Sequence, residues 1–188
     1  MTIPKAKLFT CLCLCLTGSI SLSGQARPIQ SSAISCRQFV ETFYKWYLDT
    51  ASRNHGLTDS DLALKDRPYL FSSELLLRLR EESEVQNRAG SDLVGLDIDP
   101  FSGPDGADDR FALEKVTTKG DLCWAEVHFD ENKVPGVMPE LAHENGRWIF
   151  VNFYYPSPSN PKSSNLLSEL KAAHESWKAQ GLLKGKKP

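Results

Sequence analysis

Five aspartates crowd one stretch of this chain. Asp97, Asp99, Asp105, Asp108 and Asp109 lie beside Pro100, Gly103, Pro104 and Gly106. Carboxylate oxygens at this density are what a calcium ion takes as ligands, and Asp97, Asp99 and Asp105 are the candidates. The order of an EF-hand loop is absent, with no Gly at its sixth place and no Glu at its twelfth. The competing reading is a solvated loop whose aspartates cap turns through nearby backbone amides.

Four histidines offer acid–base or metal chemistry: His55, His128, His143 and His174. None stands in an H-E-x-x-H or similar metal spacing, so no metal is assigned. His143 adjoins an Asn-Gly turn and is expected to be exposed. His128 falls on a strand, the best placed of the four to point into a cone-shaped interior. General acid–base work there would pair it with Glu126, two residues away on the same face, or with Tyr47, and needs hydrogen-bond reach. The alternative is an ordinary strand histidine. There is no G-x-S-x-G, phosphate loop or Cys–His nucleophile pattern, so no catalytic residue and no cofactor are expected.

The first 26 residues set the compartment in which such chemistry would run. Lys5 and Lys7 precede an apolar run from Leu8 to Leu16, and Gly24-Gln25-Ala26 places small residues where a signal peptidase reads. This run of nine residues falls short of the ~20 that cross a membrane. The reading is a secretory signal peptide over residues 1–26, with an uncleaved anchor as the alternative, and an exported chain, periplasmic or secreted, starting near Arg27. No integral membrane segment is expected after its removal.

Of 188 residues, 162 then remain, enough for one core that buries about 70% of the unfolded surface. Without Lys5 and Lys7, 20 basic residues face 24 acidic ones, a net charge of −4. The basic residues are dispersed except at Lys184, Lys186 and Lys187, which gives no phosphate-tracking face and no expectation of nucleic acid. Cys11, Cys13 and Cys15 leave with the signal. Cys36 and Cys123 remain, a disulfide candidate in an oxidising compartment or else two separately buried thiols. Their bridge would close a loop for which chain entropy gives roughly 4–5 kcal/mol.

The positioning elements follow from periodicity. Ser31 to Asn54 is predicted helical, capped by Ser31 or Ser32 and ended by Gly56. Cys36, Phe39, Val40, Phe43, Tyr47 and Ala51 form its apolar face, with Tyr44 and Leu48 on a narrower stripe. Leu57 to Asp66 is a short second element. A third helix runs from Ser72 or Ser73 to about Asn87, burying Leu75, Leu76, Leu79 and Val85. Leu93, Val94, Leu96 and Ile98 read as a short strand or an extended segment. Phe111 to Thr118 and Leu122 to Phe129 read as strands, the second with Cys123, Ala125, Val127 and Phe129 on its apolar face. Pro135, Gly136 and Pro139 mark an irregular segment. Leu141–Glu144 and Arg147–Tyr155 flank Asn145-Gly146, a hairpin turn signal. Trp148, Phe150, Asn152 and Tyr154 face one way and Ile149, Val151, Phe153 and Tyr155 the other, so this strand is expected at the centre of the sheet, covered on both sides. A last helix, capped by Ser163 or Ser164, carries Leu166, Leu170 and Trp177. The organisation is 1–26 signal, 27–161 one α+β domain, and 162–188 a C-terminal helix with a basic tail.

Four stretches resemble an uncharacterised family of exported bacterial proteins, catalogued as domain of unknown function 3828. They are Phe39 to Leu48, Arg67 to Leu75, the acidic Asp97-Ile98-Asp99-Pro100-Phe101, and Asn145 to Asn152. The chain departs from that family after Phe101, where Ser102 to Asp109 replaces the usual Q-D pair. The resemblance implies helices on a curved antiparallel sheet, a cystatin-like or nuclear-transport-factor-2-like cone, a fold that hosts enzymes and binding modules alike. In such a cone Phe39, Phe43, Trp46 and Tyr47, with His128, are pocket candidates, the bland reading being core packing. The expectation is a non-enzymatic binding or accessory protein of the envelope, immunity-like, whose partner is an envelope or secreted protein. The alternative is a small-molecule enzyme or carrier using the cone interior.

Overall fold

Ser35 opens the first helix by a reciprocal capping box. Its Oγ accepts from Gln38 N at 3.2 Å, while Gln38 Oε1 accepts from Ser35 N at 3.1 Å. The computed structural model describes residues 34–51, 59–89, 95–96, 98–103, 110–129, 134–157 and 164–182. Helix α1 spans Cys36–Ala51. It starts later than the serines at 31 and 32 predict, because Ser35 and Gln38 close the helix start on themselves. The expected stop at Asn54–Gly56 lies outside the described residues. Cys36, Val40, Phe43, Tyr44 and Tyr47 are all buried. Tyr44, expected on a minor stripe, is fully buried, so the apolar stripe is one broad face.

Helix α2, Asp59–Asp66, leads through a short 3-10 helix at Pro68–Leu70 into α3, Ser73–Ala89. Ser72 Oγ accepts from Leu75 N at 3.3 Å and caps α3. Leu75, Leu79, Glu82 and Val85 are buried, and Leu76 only half-buried. Of the stretch read as a short strand or an extended segment, Leu96 and Ile98 belong to no strand, and Leu93 and Val94 lie outside the described residues. The reason is local. Leu96 N donates to Glu82 Oε1 at 2.7 Å and Leu96 O accepts from Gln86 Nε2 at 3.2 Å, so α3 side chains satisfy backbone groups a strand partner would otherwise take.

Strands β1 (Phe111–Lys119), β2 (Leu122–Phe129), β3 (Met138–Glu144) and β4 (Arg147–Tyr154) form an antiparallel meander in the order β1-β2-β3-β4. Asn145 and Gly146 both have positive φ, 50° and 79°, as a two-residue hairpin turn of type I′ requires. Pro139 lies inside β3 rather than in an irregular segment. The β2–β3 register places it opposite Ala125, and the ladder breaks there and resumes at Val127–Val137. Pro139 has no N–H to give at that pair.

Two bulges shape the sheet. β1 carries an extra residue between Leu113 and Val116, and Arg37 donates to the Leu113 and Glu114 carbonyls there at 2.8 and 3.1 Å. β4 carries one at Val151: Leu141 pairs with Phe150, but Glu140 pairs with Asn152. The bulge reverses the alternation. Phe150 and Phe153, expected on opposite faces, therefore both join the core, 5.1 Å apart. β4 is also an edge strand, not a central one. Its outer edge is covered by other backbone: Ser72 N donates to Phe150 O at 2.8 Å, and Tyr155 N to Ser164 O at 3.2 Å. Covered edges of this kind resist unwanted pairing.

The core forms where α1 meets Cys123, Ala125, Val127 and Phe129 of β2. The Cys36 and Cys123 sulfurs lie at disulfide distance, with Cα atoms 6.6 Å apart, joining the first residue of α1 to β2. Helix α4, Leu166–Ala179, adds Leu166 and Leu170 to the same core. Its cap is Asn165, which accepts from Ser168 N at 3.0 Å, rather than the serine at 163 or 164. Lys171–Glu74 at 2.8 Å and His174–Glu81 at 2.9 Å tie α4 to α3. Among the described residues the chain is thus α+β, four α-helices and one open sheet, and no helix is long and apolar enough to cross a membrane. With the two cysteines 87 positions apart in sequence, replacing both by Ala is expected to cost about 2–5 kcal/mol of unfolding free energy. Urea unfolding without reductant checks it, and an unchanged midpoint would contradict it.

Candidate functional site

The interior expected to hold a cone pocket is packed with rings. Phe43 lies 4.7 Å from Phe150, 5.5 Å from Tyr47 and 5.6 Å from Phe101, centroid to centroid. Phe101 in turn meets Phe71 at 5.3 Å and Phe153 at 5.1 Å. Three tyrosines pin the turn that carries Phe101. Tyr44 Oη donates to Phe101 O at 2.8 Å, Tyr155 Oη to Pro100 O at 3.0 Å, and Tyr47 Oη to Asp99 Oδ2 at 2.5 Å. Burial pushes the Tyr44 phenol well above its ordinary range, and the Asp99 charge adds to this. Burial also raises Tyr155, with Glu169 and Asp99 adding. Both phenols therefore stay protonated and donating at neutral pH.

This accounts for Asp99. Its Oδ1 accepts from Phe101 N and Ser102 N, both at 2.8 Å, so one oxygen caps the turn and the other receives Tyr47. Asp97 and Asp105 lie outside the described residues, and among the described residues no group of three acidic, His or Cys side chains could hold a metal. Gly103 is required beside this turn: its φ is 88°, and a Cβ there would stand 2.7 Å from Gly136 O.

His128 faces away from this cluster. Cys123, Ala125, Val127 and Phe129 face α1, so strand alternation puts His128 and Glu126 on the opposite face of the sheet. His128 is 3% exposed, with Nε2 3.5 Å from Glu114 Oε2. The sheet separates it from Tyr47, and the acid–base pairing of those two does not form. His143 packs on Trp148 at 4.9 Å, and His174 bonds Glu81 at the α3–α4 contact. His55 lies outside the described residues.

An apolar concavity forms beside the ring cluster, between α1, the Pro68–Leu70 segment and the β3–β4 hairpin. It has a volume of about 330 Å3. Its floor is Phe39, Phe43 and Leu70, and its rim Ile34, Tyr69 and Trp148, with Thr42, Arg67, Gly146 and Arg147 between them. Ile34 is 60% and Tyr69 55% exposed, high for large apolar side chains. Trp148 Nε1 donates to Ile34 O at 3.1 Å and holds the residue that precedes α1. The Arg67 guanidinium lies 4.2 Å over the Trp46 ring. Of the expected pocket residues, Phe39 and Phe43 line this groove, Trp46 stands behind it, Tyr47 is buried against Asp99, and His128 is elsewhere. Ile34, Arg67, Tyr69 and Trp148 were not readable as lining residues, since no periodicity says that the Pro68 turn lies beside the hairpin.

Glu82 is the second feature that periodicity alone does not assign. It is 6% exposed on the apolar stripe of α3, three residues after Leu79 and three before Val85, and an acidic residue in such a stripe is its signal. Oε1 accepts from Leu96 N and Gln86 Nε2, both at 2.7 Å; Oε2 has no hydrogen-bond partner among the described residues. A Cβ at Gly95, where φ is +113°, would run into this carboxylate. Desolvation raises the Glu82 pKa, and the Leu96 and Gln86 hydrogen bonds oppose it only in part. A carboxyl raised in the folded state is ionised more easily when unfolded, so its contribution to stability is greatest at low pH and is lost as pH rises through the folded pKa. Glu82→Gln keeps the Oε1 bonds and removes the buried charge. Its stability relative to the parent is expected to rise as pH increases from the ordinary carboxyl range upward, read by urea midpoints; a constant difference would contradict it.

Compared with family models, with curated proteins and with solved structures, the chain matches none.

Proposed function

We propose that this chain is an exported, non-enzymatic binding protein whose groove receives an apolar segment of another envelope or secreted protein, in an immunity-like or accessory role. The observation that carries the reading is the contrast between a filled interior and an open apolar groove outside it. Phe43, Tyr44, Tyr47, Phe101, Phe150 and Phe153 are among the largest fully buried side chains, whereas Ile34 and Tyr69 are left in solvent at the groove rim. Exposed apolar surface around a concavity is the usual mark of an interaction site. An enzyme or carrier working inside a cone would need the space these rings occupy.

Export is supported by the leader-like first 26 residues and by the Cys36–Cys123 pair, since structural disulfides persist in oxidising compartments. The resemblance to the domain of unknown function 3828 family points to the same compartment.

The test is affinity capture with the exported chain tagged at its C-terminus, from envelope and secreted extracts of its host, with cross-linking. Thr42 is exposed and lines the groove, so Thr42→Trp fills it without replacing a core residue. Leu77→Ser changes an exposed leucine on α3 that does not line it. The expected result is one stoichiometric protein retained by the parent and by Leu77→Ser and reduced roughly tenfold by Thr42→Trp, a loss of about 1.4 kcal/mol. Equal recovery by all three would overturn the groove as the site.

A further inference from the structure

Resting on that groove reading, we infer that the bound segment carries an acidic side chain beside its apolar anchor, and that Arg67 and Arg147 are its charge partners. Both arginines line the groove. Neither makes an ion pair among the described residues, whereas Arg37 and Arg78 pair with Glu41 and Glu81 at 3.6 and 2.9 Å. Arg147 stands opposite Glu144 in the hairpin register and still makes no ion pair with it. In a chain of net charge −2, two unneutralised guanidiniums at one groove are a local concentration of positive charge.

Their chemistry selects the class of partner. The Trp46 ring covers one face of the Arg67 guanidinium and leaves its N–H edges for hydrogen bonding. That planar fork matches a carboxylate with two parallel hydrogen bonds. Phe39, Phe43 and Leu70 beneath it offer only apolar contact, so a purely acidic segment would leave the floor unused and a purely apolar one would leave the arginines unneutralised. Trp, Tyr and Arg around one concavity are also the side chains enriched where proteins meet proteins, which favours a polypeptide as the occupant.

The test is selection from a library of random peptides displayed on phage, run on the parent chain and on Thr42→Trp, Arg67→Gln, Arg67→Lys and Arg147→Gln. Arg147 is exposed, so Arg147→Gln leaves the fold intact even if Arg67→Gln does not. The expected peptides are lost on Thr42→Trp and combine Leu, Ile or Phe with a nearby Asp or Glu. Replacing that acid by its amide weakens binding about tenfold on the parent and by less on Arg67→Gln and on Arg147→Gln, each of which keeps one of the two arginines, and salt weakens the acidic form selectively. Peptides that need the open groove but show no acidic preference would overturn this inference and leave the groove reading standing. A selection with no dependence on Thr42→Trp would overturn both.

Discussion

The packing of one helix face on one strand face is the constraint on which the rest depends. Phe43 sits at the centre of it, touching rings from α1, from the Phe71 segment, from the Asp99–Gly103 turn and from β4. Aromatic pairs in edge and offset arrangements add to the area they bury, so a cluster of this size supplies much of the core's cohesion. Its polar atoms are all directed to one place. Tyr44, Tyr47 and Tyr155 reach the turn at Asp99 to Phe101, where buried carbonyls and a carboxylate would otherwise be costly. The acidic stretch that looks like a metal loop in one dimension is, at Asp99, a bolt in three.

The groove follows from how the edge of β4 is protected. The backbone of Phe71 and Ser72 lies along that edge and meets Phe150. Pro68 fixes the approach to this contact, because its ring sets φ and its nitrogen cannot donate. Tyr69 and Leu70 are thereby delivered beside the hairpin, facing the first turns of α1. Leu70 turns inward, Tyr69 outward, and the space left between them, Phe39 and Trp148 is the groove. A solution to an edge-strand problem and a binding surface are here the same piece of chain.

Where burial obeys a simple period, the sequence was readable. Cys36, Val40, Phe43 and Tyr47 on α1, and Cys123, Ala125, Val127 and Phe129 on β2, are core residues by spacing alone. The Cys36–Cys123 pairing was approachable by counting, since only two cysteines follow the first 26 residues. What escaped were places where one residue breaks the period or a distant segment substitutes for a neighbour. The bulge at Val151 reverses the facing of everything after it, and nothing in Phe150 to Tyr154 announces it. β4 looks central because both of its faces are apolar, yet its neighbour on one side is irregular backbone rather than a strand. Leu96 looks like strand until Glu82 is known to bind its amide. The groove was half readable: Phe39 and Phe43 belong to the apolar face of α1, but Tyr69 and Trp148 come from segments whose approach only the folded chain reveals.

The position of the disulfide gives this arrangement a further logic. Cys36 is the first residue of α1, and Ile34, two residues earlier, forms part of the groove rim with its carbonyl held by Trp148. Helix starts fray readily, because their first amides lack intrahelical partners. Here the first turn is fixed three times over: by the capping box of Ser35 and Gln38, by the bond to Cys123, and by Arg37 reaching the bulge of β1. A rim built on such a start is ordered before anything binds to it, and binding to a preordered surface avoids the entropy of arranging it. On the binding reading, the covalent link between helix and sheet therefore serves recognition as well as stability, because it fixes the start of α1 beside the Ile34 side of the groove.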